Sequence, residues 1–235
     1  MWALENLRLL RDRRQETRQA FALADYQDYL MNEADAVREL LSVQRDTYLK
    51  IQKSLWKPPR DPAEPDRIWD GRDGLLRLAG ALVRVLRPAV VVETGVARGY
   101  TSATILAVME ENNRGRLYSV DLPPLEVDKE TFVGQVVPET LKRRWTLRLG
   151  PSRRILPQVV RAAAPIDLFL HDSDHTYSSQ LEEYRTAWPF LRSGGVVLSD
   201  DVTNPAFIDF AAEVGVRPLL VHRRADSAYG LVKKP

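Results

Sequence analysis

Hydrophobic and polar positions follow two different periods along this chain. From Gly74 onwards, short apolar runs alternate with longer segments in which apolar residues recur every three or four positions. This alternation predicts an α/β fold, a doubly wound and mostly parallel sheet, because parallel strands joined by helical crossovers are covered on both faces. The predicted strands lie at about 89–95, 115–121, 146–150, 166–172 and 194–200, and the predicted helices at about 75–86, 100–112, 129–144, 152–163, 176–191 and 205–214.

Two further strands are predicted near the end of the chain. They lie at 218–222 and 228–233, and the short segment 223–227 joins them. A connection of this length is typical of a hairpin, so the last strand should run antiparallel to the others. The pattern therefore predicts a Rossmann-like sheet of seven strands.

The first part of the chain has a different character. Residues 1–57 are predicted to be helical, with Asn32 as an N-cap, and prolines then break the pattern. We therefore divide the chain into N-terminal helices with a proline-rich linker (1–73) and an α/β domain (74–235). The first part is expected to form a lid or a homodimer surface, although core packing explains its aromatic residues equally well; these are Tyr26, Tyr29, Tyr48, Trp56 and Trp69.

Composition excludes several classes of protein. A 44% apolar and 28% charged chain with net charge +2 is typical of a soluble globular protein and gives no argument for nucleic-acid or membrane binding. The short basic clusters, including Arg223–Arg224, are most simply explained as solvated surface. The absence of cysteine rules out disulfides and thiolate chemistry. With no apolar run near the ~18–20 residues of a membrane span, we expect a cytoplasmic protein.

The segment 90–102, VVVETGVARGYTS, carries the first functional signal. A buried strand ends at Glu93 and Thr94, a turn containing Gly95 and Gly99 follows, and a helix then begins. Free N–H groups at such a helix start favour a ligand in the turn. The positions of a dinucleotide-binding fingerprint, counted from Gly95, hold Gly95, Ala97 and Tyr100, which argues against a nicotinamide-dependent oxidoreductase.

The pattern E-x-G-x-A-x-G resembles the first motif of class I S-adenosylmethionine (SAM) dependent methyltransferases. Asp121, at the end of the next strand, is placed to accept hydrogen bonds from ribose hydroxyls, although it could instead cap a turn. Ser152 follows the third strand, where the resemblance places the adenine-side loop; helix capping would explain it equally well. The implied SAM-binding residues are Glu93, Thr94, Gly95, Gly99, Thr101, Ser102, Asp121, Ser152 and Asp172.

Acidic residues follow two later strands. The segment DLFLHDSDHTY places Asp172 at the end of one strand, and LSDD places Asp200 and Asp201 at the end of the next. Neighbouring strands lie about 4.8 Å apart, so these carboxylates can converge, and a hard cation such as Mg²⁺ would relieve their repulsion. Adjacent strand residues point to opposite faces, so both Asp200 and Asp201 can ligate only where the strand bends. The nearest basic residues in sequence, Arg185 and Arg192, are predicted to lie elsewhere.

These acids resemble those of metal-dependent small-molecule O-methyltransferases, of the catechol, macrolide-sugar and cephalosporin-biosynthesis types. The chain lacks the lysine that the catechol type carries after the first acid, so that base cannot be carried over. His175, or Asp172 itself, is the candidate proton acceptor, while His171 is expected to pack on the other face of the sheet. The resemblance implies methylation of a small-molecule or natural-product hydroxyl; a metal-independent enzyme using His175, or a non-catalytic SAM-binding protein, remain as alternatives.

Overall fold

The strands form one mixed sheet. The computed structural model describes residues 23–58, 73–122, 132–224 and 227–235. The strands, in chain order, are β1 (Leu30–Met31), β2 (Val90–Thr94), β3 (Arg116–Asp121), β4 (Trp145–Leu149), β5 (Ile166–His171), β6 (Leu191–Val202), β7 (Leu219–Arg224) and β8 (Ser227–Lys233). Their spatial order is β1-β7-β8-β6-β5-β2-β3-β4, and β8 runs antiparallel to both of its neighbours. The predicted seven-stranded sheet with its antiparallel last strand is confirmed, and the two-residue β1 adds an eighth strand beside β7.

Helices cover both faces of this sheet. They are α1 (Glu33–Leu41), α2 (Arg45–Ser54), α3 (Asp73–Leu86), α4 (Tyr100–Glu111), α5 (Ser152–Ala163), α6 (Tyr177–Ala187) and α7 (Ala206–Glu213). One apolar core lies between the sheet and α1–α4, and a second lies between the sheet and α5–α7. Strands buried on both faces are mostly apolar, as in β5, where all six residues are buried and the two polar ones, Asp167 and His171, have partners.

The sheet topology places the carboxyl ends of β2, β3, β5 and β6 along the same edge of the sheet. These four strands are parallel to one another, with β2 paired to β3 and β5, and β5 paired to β6. In open α/β sheets, ligands bind outside the carboxyl ends of the strands. Apart from Ser152, which follows β4, the predicted functional residues lie at the ends of these four strands or directly after them, so the fold brings them to one side of the molecule.

The N-terminal prediction needs correction. Residues 1–22 lie outside the described part, but Leu23–Tyr29 forms 3-10 turns and β1 follows, so the described segment is not continuously helical. Asn32 caps α1 as predicted, with its side-chain oxygen accepting from Asp35 N at 3.0 Å. Ser42, with φ of +60°, ends α1, because a left-handed residue cannot continue the helix.

The N-terminal aromatic residues that the structure describes pack inward. Tyr48 is 1% exposed, and Trp56 packs against the same core as α3 and α4. Tyr26 and Tyr29 pack against the second core, while Trp69 and most of the predicted linker lie outside the described residues. Core packing is therefore the interpretation that the structure favours for the four described aromatic residues.

Two predicted helices also differ from the structure. The described part of the predicted helix 129–144 is a turn followed by a 3-10 helix, Glu139–Arg144, because Gly134 has a φ of +73° and Pro138 is extended. The predicted helix 176–191 ends at Ala187, and 3-10 turns containing Pro189 lead directly into β6. Among the described residues, none of the helices has the length and apolar character needed to cross a membrane.

Candidate active site

The turn after β2 requires glycine at two positions. Gly95 and Gly99 have φ values of +83° and +90°, which side chains rarely adopt. A Cβ at Gly95 would collide with the backbone carbonyl of Asp172, and one at Gly99 would lie 2.8 Å from the Cα of Gly134. The first contact joins the turn directly to the end of β5. The glycine turn (residues 95–99) and the acidic edge, which consists of Asp172, Asp200 and Asp201 at the ends of β5 and β6, are thus parts of one site.

Glu93 lies behind this turn rather than in it. Its side chain is fully buried, and its Oε2 accepts hydrogen bonds from Ser102 Oγ and Ser119 Oγ, both at 2.7 Å. Burial raises the pKa of Glu93 to about 7, although the two hydroxyl donors oppose this effect. The carboxyl group joins the first turn of α4 to β3. Glu93 and Ser102 therefore shape the turn from within the core.

Asp121 binds the glycine turn through its side chain. Its Oδ2 accepts hydrogen bonds from Val96 N at 3.0 Å and Ala97 N at 2.8 Å. Burial raises the pKa of this carboxyl group, while hydrogen bonds from the backbone of Ala97, Val96 and Leu122 oppose the rise. Asp121 thus caps a turn, but the turn is that of the candidate cofactor site. A role toward ribose stays a prediction.

The remaining predicted cofactor residues fall into two groups. Thr101 lies in the first turn of α4 and is 7% exposed. Thr94 and Ser152 instead place their side chains on Glu183 of α6, with Thr94 Oγ1 donating to Glu183 Oε2 at 2.5 Å. Ser152 is the first residue of α5, with Pro151 at the N-cap position, so the alternative explanation of Ser152 as a helix cap is wrong, and its role at the adenine side stays a prediction.

Three of the predicted chemical groups converge at the ends of β5 and β6. Asp172, His175 and Asp200 each offer one ligand atom, and these atoms lie within 4.8 Å of one another. His175 Nε2 lies 3.7 Å from Asp172 Oδ1 and 4.0 Å from Asp200 Oδ2. Within the described structure, His175 Nε2 and Asp200 Oδ1 are buried atoms without a hydrogen-bond partner. Two carboxylates and an imidazole with unused acceptor atoms fit the donor preferences of a divalent cation.

Burial and neighbouring charges at this edge favour the uncharged forms of Asp172 and His175. The pKa of Asp172 is raised well above its ordinary range, first by burial and then by the charge of Asp200. Burial lowers the pKa of His175 to about 4, and the neighbouring His171 acts in the same direction. At neutral pH, His175 is therefore an uncharged imidazole that can accept a proton or bind a metal.

Asp201 does not lie among the three convergent groups. It has a φ of +43°, and its Oδ1 accepts a hydrogen bond from Nη1 of Arg223. The same Nη1 lies 3.4 Å from Asp200 Oδ1, and the Arg223 side chain is only 9% exposed. Interpreting Arg223 as solvated surface was therefore wrong, since its guanidinium lies against the acids. Arg185 and Arg192 do lie elsewhere, paired with Glu213 and Asp167.

The sequence did not reveal a buried pair beneath this site. His171 Nδ1 lies 2.7 Å from Glu183 Oε2, and Ser173 Oγ donates to Glu183 Oε1 at 2.8 Å. The proximity of His171 lowers the pKa of Glu183 against the opposing effect of burial. His171 packs against α6, with its ring centroid 5.3 Å from that of Tyr184, and its ring also lies edge-to-face with that of His175 at 5.4 Å, so it is not separated from the convergent cluster. The available signal was Glu183, a charged residue on the apolar face of a predicted helix.

Comparison with known proteins agrees with this geometry. A methyltransferase-domain family model matches residues 92–202, the span that contains the glycine turn and the acids Glu93, Asp121, Asp172, Asp200 and Asp201. A catechol O-methyltransferase from Sus scrofa is 28% identical over 141 residues, which is 59% of this chain and 73% of that protein.

Solved structures share the fold at low sequence identity. The O-methyltransferase TomG from Streptomyces achromogenes, involved in tomaymycin synthesis and solved with SAM, has a TM-score of 0.55 at 16% identity, covering 81% of this chain and 96% of its own. A TDP-rhamnose 3'-O-methyltransferase of calicheamicin biosynthesis has a TM-score of 0.54 at 18% identity, covering 80% and 92%. The solved structures show a Rossmann-like fold. The domain match over residues 92–202 and the porcine relative support a class I SAM-dependent methyltransferase.

Proposed function

We propose that this enzyme transfers the methyl group of SAM to a hydroxyl group of a small molecule, assisted by a divalent cation. The observation that carries this proposal is the convergence of Asp172, His175 and Asp200 directly beside the Gly95 turn. A donor cluster at that position adjoins the point where the methyl donor would lie. The names of the relatives support an oxygen acceptor, since they include a catechol and a sugar O-methyltransferase.

SAM supplies an electrophilic sulfonium methyl when bound. Gly95, Gly99, Thr101 and the backbone of the turn would hold it, with Asp121 accepting from its ribose. Glu93 and Ser102 act from behind the turn by fixing the start of α4. Thr94 and Ser152 contribute through Glu183, which links the ends of β2 and β5 to α5 and α6. Binding energy spent on alignment is the main source of rate in such a displacement.

A divalent cation, for which we propose Mg²⁺, would lower the pKa of a hydroxyl bound to it. Asp172 and Asp200 are its proposed carboxylate ligands, and Asp201 would join them on release from Arg223. The neutral imidazole of His175 lies between the two acids and accepts the proton of the acceptor hydroxyl. Asp172, with its raised pKa, is the second proton acceptor in the same volume.

Calorimetry with S-adenosylhomocysteine (SAH) and with NAD tests the cofactor. We expect SAH to bind and NAD not to bind; the reverse result would contradict the proposal and favour an oxidoreductase. Transfer from methyl-labelled SAM to catechol and to sugars with vicinal hydroxyls then tests the acceptor, with product analysis to distinguish methyl ethers from methylated amines. SAH binding without any transfer across such a panel would favour a non-catalytic SAM-binding protein.

Quaternary structure and location remain predictions. The described part of the N-terminal segment packs its apolar side on its own domain, so a homodimer surface there would use the outward-facing residues, such as Leu49. A monomer mass by light scattering at micromolar concentration would contradict the homodimer. We retain a cytoplasmic location and a role in natural-product biosynthesis as proposals, and we predict no nucleic-acid or membrane partner.

A further inference from the structure

Arg223 occupies an unusual position for a cation. It belongs to β7, which is separated from β6 by β8, yet its guanidinium reaches the acids at the end of β6. Its Nη1 contacts Asp201 Oδ1 and lies 3.4 Å from Asp200 Oδ1. The guanidinium carbon also lies 5.7 Å from the ring centroid of Tyr229 on β8. The side chain is therefore held by contacts on two strands.

Irregular strand geometry makes this contact possible. Neighbouring residues in a regular strand point to opposite faces, so Asp200 and Asp201 would not share a partner. The pairing of β6 with β8 shifts register between Ser199 and Val202, and that of β7 with β8 shifts between His222 and Arg224. With Asp201 in a left-handed conformation, both carboxylates meet one guanidinium. A bend in β6 is what would let Asp200 and Asp201 bind one metal ion together. In the structure, this bend instead lets both residues contact Arg223.

The charges explain why such a partner is useful. Asp200 is 4% exposed and lies beside Asp172, and burying like charges together is unfavourable without a cation. A guanidinium is always charged and offers donors to two carboxylates at once. It can compensate the acids when no metal is bound. The positive charge of Arg223 repels a divalent cation that approaches Asp200. The guanidinium also binds the oxygen that Asp201 would offer to that cation.

We propose that Arg223 is a built-in counter-cation of the acidic site, which holds Asp201 outside the Asp172–His175–Asp200 group and competes with the divalent cation. The inference rests on the proposed function, because it assumes that these acids bind a metal. It makes Arg223 a positioning residue that sets metal affinity. Binding of a cation to all three aspartates then requires release of Asp201 from Arg223.

Calorimetric titration with Mn²⁺, a hard divalent probe, tests this inference on the full chain after removal of bound metal by chelation. We expect Arg223→Gln to bind Mn²⁺ at least about tenfold more tightly than the native protein, because a nearby positive charge is removed. The matched control is Arg217→Gln. Arg217 also pairs with a carboxylate, Glu39, but its side chain is 52% exposed and lies on another surface. The control should change Mn²⁺ affinity by less than about twofold.

Unchanged or weaker Mn²⁺ binding in Arg223→Gln would overturn the inference and leave Arg223 as a structural partner of the acids. If that variant does not fold, Arg223→Lys replaces it. An ammonium group cannot bridge two carboxylates as a guanidinium does, so this variant should also bind Mn²⁺ more tightly than the native protein, and equal affinity would count against the inference. SAH binding to the native protein, measured in parallel, tests the proposed cofactor independently. Mn²⁺ binding in none of the proteins would overturn both the metal role and the inference.

Discussion

The glycine turn and the acidic edge solve the same electrostatic problem in different ways. At the turn, Glu93 is buried and Asp121 is half-buried, and the donors to one oxygen of each are neutral: two serine hydroxyls for Glu93 Oε2 and two backbone N–H groups for Asp121 Oδ2. At the acidic edge, Asp172, Asp200 and Asp201 face one another, an imidazole and one guanidinium. Neutral hydrogen-bond donors hold a carboxylate in place. A carboxylate that is paired with a cationic side chain can instead exchange that partner for a metal ion.

This difference separates a rigid binding region from a chemical one. The turn is held by Asp121 at the end of β3, and Glu93 behind it is held by Ser102 and Ser119, so ligand binding there needs little rearrangement. In the described structure, the buried acceptor atoms without a hydrogen-bond partner at the acidic edge, His175 Nε2 and Asp200 Oδ1, belong to the convergent cluster, whereas the one at the turn, Glu93 Oε1, lies behind it. Such atoms are costly unless a ligand or ion satisfies them. Substitutions at the two regions should therefore separate cofactor binding from turnover.

The largest expected effect is on turnover at the acidic edge. Replacing His175 with Ala removes the proposed proton acceptor and should lower kcat/KM by about 10²–10⁴-fold, while SAH affinity changes by less than about twofold. Steady-state rates with the best acceptor from the panel, and calorimetry with SAH, measure the two quantities. His222→Ala is the matched control, because His222 is exposed on β7. Unaltered kcat/KM in His175→Ala would transfer the role to Asp172.

Next in size is a pH effect on stability at the turn. The pKa of Glu93 is raised from 4.5 to about 7, so between these values the folded protein holds a proton that the unfolded chain has lost. The contribution of Glu93 to stability is therefore full below pH 4.5 and declines as pH rises to about 7, by about 3 kcal/mol in all. Glu93→Gln should flatten this part of the pH profile, measured by denaturant unfolding at pH 5 and pH 8. An equally steep profile in the variant would assign the effect to other groups.

Asp121 should affect cofactor affinity without a comparable effect on chemistry. Asp121→Ala removes a charged acceptor of ribose hydrogen bonds and should weaken SAH binding by about 1.5–3 kcal/mol. Asp46→Ala, at an exposed position of α2, is the control. Since Asp121 also binds Val96 N and Ala97 N, thermal unfolding must be measured beside calorimetry. Native SAH affinity in a folded Asp121→Ala would remove this residue from the cofactor site.

The smallest effect that we predict is that of metal removal, because Arg223 already compensates part of the acidic charge. Exhaustive chelation should lower turnover by about tenfold or more, and added Mg²⁺ should restore it, with SAH affinity nearly unchanged. Asp201→Asn should lower both metal affinity and turnover. Loss of Asp172 should lower these and also impair the cofactor site, because Asp172 adjoins the Gly95 turn. Full turnover after chelation would contradict the metal role and leave His175 as the proton acceptor.

Features that depend on neighbouring residues could be predicted from the sequence. The apolar runs located β2, β5 and β6, because strands buried on both faces are mostly apolar. Gly95 and Gly99 marked the turn, because only glycine readily adopts the backbone conformation it needs. The position of Asp172 and Asp200 at neighbouring strand ends followed from the parallel order alone, and their convergence is confirmed.

Contacts between distant residues were decided only by the tertiary structure. Arg223 meets Asp200 and Asp201 because β8 inserts between β6 and β7 and the strands shift register there; the charge of each residue in isolation did not indicate this. The same holds for His171 and Glu183, and for the donors that turn Glu93 away from the ligand. A sequence shows which side chains carry chemistry and where the backbone must turn. Which charges compensate one another depends on the packing of elements far apart in the chain, because electrostatic energy depends on distance and burial in space.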